Sequence, residues 1–198
     1  MNFLQKIFSR ESVVIEDQSH STPEPTYPTM PNSLPPGLTV AKISDIGRVR
    51  ERNEDAYLAV DVTLHSDDEL VPIGLYVVAD GMGGHEKGEV ASSLAAQVSA
   101  HQLVEDVFLP FLSGHEDDAP RRPINEALIQ AIQAANLAVY QQVPDAGTTL
   151  TLALIFGHKA HVAHVGDSRA YIFNQKTLRQ ITQDHSLVAR LVELGQAT

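Results

Sequence analysis

Apolar and polar positions along this chain alternate in two rhythms, and the change of rhythm divides it into elements. Leu38, Val40, Ile43 and Ile46, then Tyr57 to Leu64, then Val71 to Ala79 predict three strands. The third is apolar almost throughout, as expected of a strand covered on both faces in a layered structure. It stops at Asp80, and Gly81, Gly83 and Gly84 follow. A strand ending in an acidic residue and passing into a bendable loop sets a carboxylate at the rim of a sheet.

Beyond the glycines the rhythm becomes helical. Val90, Leu94 and Val98, with Ala91 and Ala95 beside them, predict a helix from Glu89 to Leu109 that Pro110 ends. After the polar stretch Ser113 to Arg122, Pro123 suits a first helical residue. Leu128, Ile132, Ala135 and Val139 then form one face of a second helix, closed by Pro144. Thr148–Phe156, Ala160–Val165, Arg169–Phe173 and Leu178–Ile181, separated by short breaks, predict an antiparallel meander. Ser186–Leu194 predicts a last short helix, with Ser186 as its N-cap and Gly195 just beyond it. Two consecutive helices between blocks of strands indicate an α+β layered domain rather than alternating βαβ units.

Composition narrows this picture at both ends. Ser19 to Gly37 is mostly Ser, Thr, Pro, Glu and Asn, with prolines at 23, 25, 28, 31, 35 and 36, so residues 1–37 are expected to be a disordered tail and proline-rich linker. Phe3, Leu4, Ile7 and Phe8 share a helical face, which allows either a short docking or membrane-surface helix or a frayed terminus. Residues 38–198 are then one domain. Fourteen Lys and Arg against twenty-five Asp and Glu give a net charge of −11, which argues against nucleic acid as the main partner. The absence of cysteine excludes disulfides and thiolate metal sites and fits a cytoplasmic location. No apolar run approaches the roughly 20 residues of a membrane span.

The chemistry collects at strand ends: Arg50 with Glu54 and Asp55, then Asp80, then Asp167 with Arg169, then Asp184 with His185. Carboxylates without cysteine make a hard-oxygen site suited to Mg²⁺ or Mn²⁺. Taken singly, each cluster has a plain reading, since Asp80-Gly81 is a turn signal, Gly166 to Arg169 a hairpin, and Arg50 to Asp55 a solvated loop.

Together they form an ordered series. Arg50-x-x-Asn53-Glu54-Asp55, Val78-Ala79-Asp80-Gly81-Met82-Gly83-Gly84, Gly147-Thr148-Thr149, Val165-Gly166-Asp167-Ser168-Arg169 and Thr182-x-Asp184-His185-Ser186-Leu187-Val188 resemble the motifs of the metal-dependent type 2C serine/threonine protein phosphatases, in their bacterial version. The resemblance runs from about Leu38 to the last residue. It implies an α-β-β-α sandwich of two antiparallel sheets flanked by helices, phosphorylated proteins as substrates, and two Mg²⁺ or Mn²⁺ ions. By resemblance Asp80 bridges the metals and the Gly81 carbonyl ligates one of them. Glu54 and Asp55 hold metal-bound waters, Asp167 ligates a further, looser ion, and Arg50 binds the substrate phosphate. The nucleophile is a water, so no protein nucleophile is required.

Two departures qualify the resemblance. Met82 stands where some relatives carry a histidine proposed as the general acid, with His85 nearby, and two further metal aspartates that relatives supply beyond the Asp-His-Ser helix have no counterpart here. The expectation is an incomplete domain whose site is finished by a further C-terminal segment or a partner chain, or else a non-catalytic pseudophosphatase or regulatory binding module. A nucleotide-binding loop is the remaining rival. Gly81, Gly83, Gly84 and Gly88 match neither Gly-x-Gly-x-x-Gly nor a P-loop, and Glu89 stands where the P-loop lysine would.

Overall fold

The computed structural model describes residues 13–16, 37–48, 50–66, 69–83, 87–113, 122–174 and 176–185. The expected helix at Ser186–Leu194, the N-terminal apolar face and His85 lie outside them. The fold is α+β, with every strand pair antiparallel. Strands β1 (Val13–Glu16), β2 (Asp55–Ser66), β3 (Glu69–Gly83), β5 (Leu150–Phe156) and β6 (Lys159–Val165) lie in the order β1-β6-β5-β3-β2, and β4 (Ala146–Thr148) also pairs with β3. Strands β7 (Tyr171–Asn174) and β8 (Thr177–Gln180) form a separate hairpin.

Helix α1 (Lys87–Leu103) packs on β2 and β3, and helix α3 (Ile124–Gln142) packs on α1 and β6. Between them runs a π-helical turn, Val104–Phe108, continuing into α2 (Leu109–Leu112). Pro110 therefore does not end the helical path. The Leu109 N–H reaches back to the Val104 carbonyl, and Pro110 falls in the first turn of α2, where its missing donor costs little.

The core lies between the sheet and the helices. Ile73, Leu75 and Val77 of β3 alternate inward with Leu152 and Leu154 of β5, against Leu103 and Leu128. Burying each such side chain contributes roughly 1.5–3 kcal/mol. The α3 face lies inward as its spacing predicts, and that of α1 does so only in part, through Ala91, Ala95 and the half-buried Leu94. Val90 is 52% exposed, while Ala91, Ser92, Ala95, Ser99 and Ala100 are buried. With both a sheet and a second helix against it, α1 buries the small residues that allow close approach of the backbones.

Two sequence expectations are corrected here. Residues 37–48 form no strand. Leu38 and Val40 alternate, but the next apolar positions, Ile43 and Ile46, break the period of two, and Ile43 is 94% exposed. Conversely, Val13–Glu16, inside the segment expected to be a tail, pairs with the outer edge of β6. A β-branched Val-Val-Ile run beside an open sheet edge supplies backbone partners that the edge would otherwise lack. Among the described residues, no helix is long and apolar enough to cross a membrane.

Candidate metal and phosphate site

Asp80 does not mark the end of its strand. Strand β3 runs on to Gly83 because its last three residues find a partner in β4, in the register Gly81↔Thr148, Met82↔Gly147 and Gly83↔Ala146. Gly81 has no left-handed φ, so the glycine is not needed for a bend. It is needed for closeness, since a Cβ there would lie 2.0 Å from the Gly88 carbonyl oxygen and 2.7 Å from that of Glu54. The Gly81 N–H donates to the Glu54 carbonyl at 3.0 Å, and the Ser92 hydroxyl donates to the same oxygen at 2.6 Å. Helix α1, the Glu54 turn and the Asp80 strand are thereby locked together at one point.

Asp80 itself is held from both neighbouring strands. On one side it stands opposite Asp55 in the β2–β3 register. On the other, the Asp80 N–H donates to Thr149 Oγ1 at 2.9 Å, while the Thr149 N–H and Thr148 Oγ1 donate to the Asp80 carbonyl at 2.9 and 3.0 Å. Partial burial pushes the Asp80 carboxyl above its usual range. The Asp55 carboxylate pushes the same way, Arg50 opposes it, and Asp167 adds to the rise. Two further carboxylates and one guanidinium thus act on Asp80 at the sheet rim. Crowded carboxylates of this kind are relieved by a cation.

Arg50 is exposed and donates from NH1 to Glu54 Oε2 at 2.6 Å, leaving other guanidinium donors for an anion. Asn53 Oδ1 accepts the Asp55 N–H at 3.0 Å and its amide reaches Ser44 Oγ at 2.7 Å, which fixes the turn entering β2. The two late motifs close on each other. Arg169 grips Asp184 through Nε and NH2, at 2.6 Å for the shortest contact, and the His185 N–H donates to the Gly166 carbonyl at 2.6 Å. Ser168 Oγ lies 2.7 Å from Thr149 Oγ1, so this unit also joins the Asp80 strand.

The metal and phosphate candidates Arg50, Glu54, Asp55, Asp80, Gly81 and Asp167 therefore lie in one connected region. Among the described residues, however, no three carboxylate or imidazole side chains stand close enough to enclose one metal ion. Sequence reasoning gave no role to Thr149, Ser168, Gly88 or Ser92. Thr149 and Ser168 sit inside the quoted motifs, but hydroxyl pairing over 19 residues leaves no periodic signal.

Comparison with known proteins gives the family of the chain. The protein phosphatase 2C family profile matches residues 40–191, and the chain belongs to that family. It is 37% identical over 167 residues to the serine/threonine protein phosphatase PstP of Mycobacterium tuberculosis, covering 81% of this chain and 28% of that protein. It is 36% identical over 154 residues to the serine/threonine phosphatase stp of Listeria welshimeri, covering 77% of this chain and 57% of that one. The chain thus spans well under two thirds of the length of either relative. The PstP catalytic domain crystallised with two manganese ions superposes with a TM-score of 0.53, with 34% identity over 78% of this chain and 59% of that one.

Proposed function

We propose that this chain is a metal-dependent protein phosphatase acting on phosphoserine and phosphothreonine of cytoplasmic proteins. The observation that carries the reading is the Asp55–Asp80 pair, placed in register at the sheet rim with Asp167 raising and Arg50 lowering the Asp80 proton affinity. The two manganese ions of the PstP structure support the choice of metal. An all-oxygen donor set of crowded carboxylates fits Mg²⁺ or Mn²⁺.

In this reading Asp80 would bridge two ions and the Gly81 carbonyl would ligate one. Glu54 and Asp55 would hold ligating waters, and Asp167 would hold a further ion. Bound divalent ions supply the acidified water that attacks phosphorus in line. The protein's own work is positional. Thr149 and Thr148 fix the Asp80 backbone, Ser92 and Gly81 fix Glu54, and Arg50 binds the phosphoryl oxygens through its planar fork. These protein oxygens fall short of the six that such an ion takes. Water would make up part of the set, and a further segment or a partner chain the rest.

The test is Mn²⁺-dependent release of phosphate from a phosphothreonine peptide by the purified chain, in wild type and Asp80→Asn. Slow turnover that needs Mn²⁺ and vanishes in Asp80→Asn is expected, because the chain alone lacks the ligands that a further segment or a partner chain would add. Turnover without metal, or equal turnover in the variant, overturns the reading. The lack of a three-ligand cluster among the described residues is what favours a binding module instead, and a chain that binds no metal yet retains phosphopeptide would bear that out.

A further inference from the structure

We propose that His164, outside every motif noted above, is a positioning residue that holds the Gly166–Asp167 turn and so sets where Asp167 meets a metal ion. The inference rests on the metal role proposed for Asp167.

His164 lies on β6 directly across from Thr151 of β5. Its Nε2 is 3.0 Å from the Gly166 carbonyl oxygen and its Nδ1 is 2.9 Å from Thr151 Oγ1. A carbonyl oxygen only accepts, so Nε2 carries the hydrogen. In the neutral ring Nδ1 then accepts from the Thr151 hydroxyl. Burial, with His185 beside it, lowers the proton affinity of His164, in keeping with the neutral ring. The His185 ring stacks on it at 5.3 Å between centroids and 26° between planes.

The Gly166 carbonyl thus takes two hydrogen bonds, from the His164 ring and from the His185 N–H. That double anchor falls on backbone that needs holding. Gly166 has φ +110, and a Cβ there would meet Thr149 Cγ2 at 2.6 Å. On the other side of Asp167, Ser168 is tied to Thr149. Asp167 itself is exposed at the tip of the turn, with its charge reaching Asp80. Releasing Gly166 would let the carboxylate drift while the Thr149 hydrogen bonds to the Asp80 backbone remain.

The experiment is a calorimetric Mn²⁺ titration, read without turnover, of wild type, His164→Ala, His164→Gln, Thr151→Val and Asp167→Asn. Asp167→Asn should remove a weaker binding phase. His164→Ala should weaken that phase by about tenfold, as loss of a group orienting a metal ligand does. Thr151→Val should weaken it less. His164→Gln, whose amide N–H reaches the same carbonyl, should stay within about twofold of wild type. A His164→Ala protein that melts earlier but binds Mn²⁺ as wild type does would overturn the proposal. If Asp167→Asn titrates like wild type, it is the metal reading of Asp167 that fails instead. Should the alanine variant not fold, ¹⁵N imidazole spectra of the wild type decide. Hydrogen on Nε2 is expected, and hydrogen on Nδ1 overturns the hydrogen-bond assignment.

Discussion

Replacing Gly81 with alanine tests whether closeness, rather than backbone freedom, is what the glycine provides. The added methyl would sit 2.0 Å from the Gly88 carbonyl oxygen and 2.5 Å from the Gly88 carbonyl carbon, where ordinary contact begins at 3.4 Å. Strand and helix must separate by about 1.4 Å, and the atoms in the way are backbone, which cannot swing aside. Overpacking of this kind costs about 1–3 kcal/mol, and loosening the Gly81 N–H bond to Glu54 about 1 kcal/mol more. For a domain of this size the sum lowers the melting temperature by roughly 4–16 °C. Gly83→Ala is the control. Its Cβ meets Ala146 Cβ at 3.1 Å and the Gly88 nitrogen at 3.2 Å, gaps that close by a few tenths of an ångström, so its loss should stay below about 1 kcal/mol. Scanning calorimetry of the metal-free proteins reads both. Equal melting temperatures for Gly81→Ala and wild type would show that the approach of strand and helix leaves room for a methyl group.

Further outcomes follow from the same geometry. A carboxyl whose folded pKa is raised costs stability when ionised, so metal-free Asp80→Asn should melt higher than wild type at neutral pH, and the gap should close as pH falls through the folded pKa. Arg50→Ala should raise KM for a phosphopeptide by about 10- to 100-fold, and Arg50→Lys should recover little, because an ammonium lacks the fork. His161 is buried, and its Nδ1 has no partner among the described residues. Burial lowers its proton affinity, so the unfolded chain binds the proton better and stability falls as pH drops below the ordinary histidine value of 6.5. Urea midpoints at pH 5 and pH 7.5 should therefore differ less in His161→Leu than in wild type.

How much of this was legible in the sequence depended on the range of the interaction. Strand β3 and helix α3 declared themselves because burial repeats at two or at about four residues, and Asp80 at the rim followed from where the apolar run stopped. The buried face of α1 did not, because its stripe of alanine and serine carries a weaker apolar signal than Val90, which points outward. The pairing of β3 with β4 past Asp80, the strand at Val13–Glu16 and the missing strand at 37–48 all depend on which edge is available to pair, and residue type does not encode that. The motifs located the carboxylates. They did not show that Thr149 holds the Asp80 backbone or that Ser168 meets Thr149, since those hydrogen bonds join residues brought together only by the sheet.

The claim that the Asp55–Asp80 edge is a metal site is tested most directly by titrating the purified chain with Mn²⁺ in a calorimeter at neutral pH, beside Asp80→Asn. Two ions bound by the wild type, with binding lost in the variant, are expected. A wild type that binds no Mn²⁺, or a variant that binds it equally well, would contradict the account.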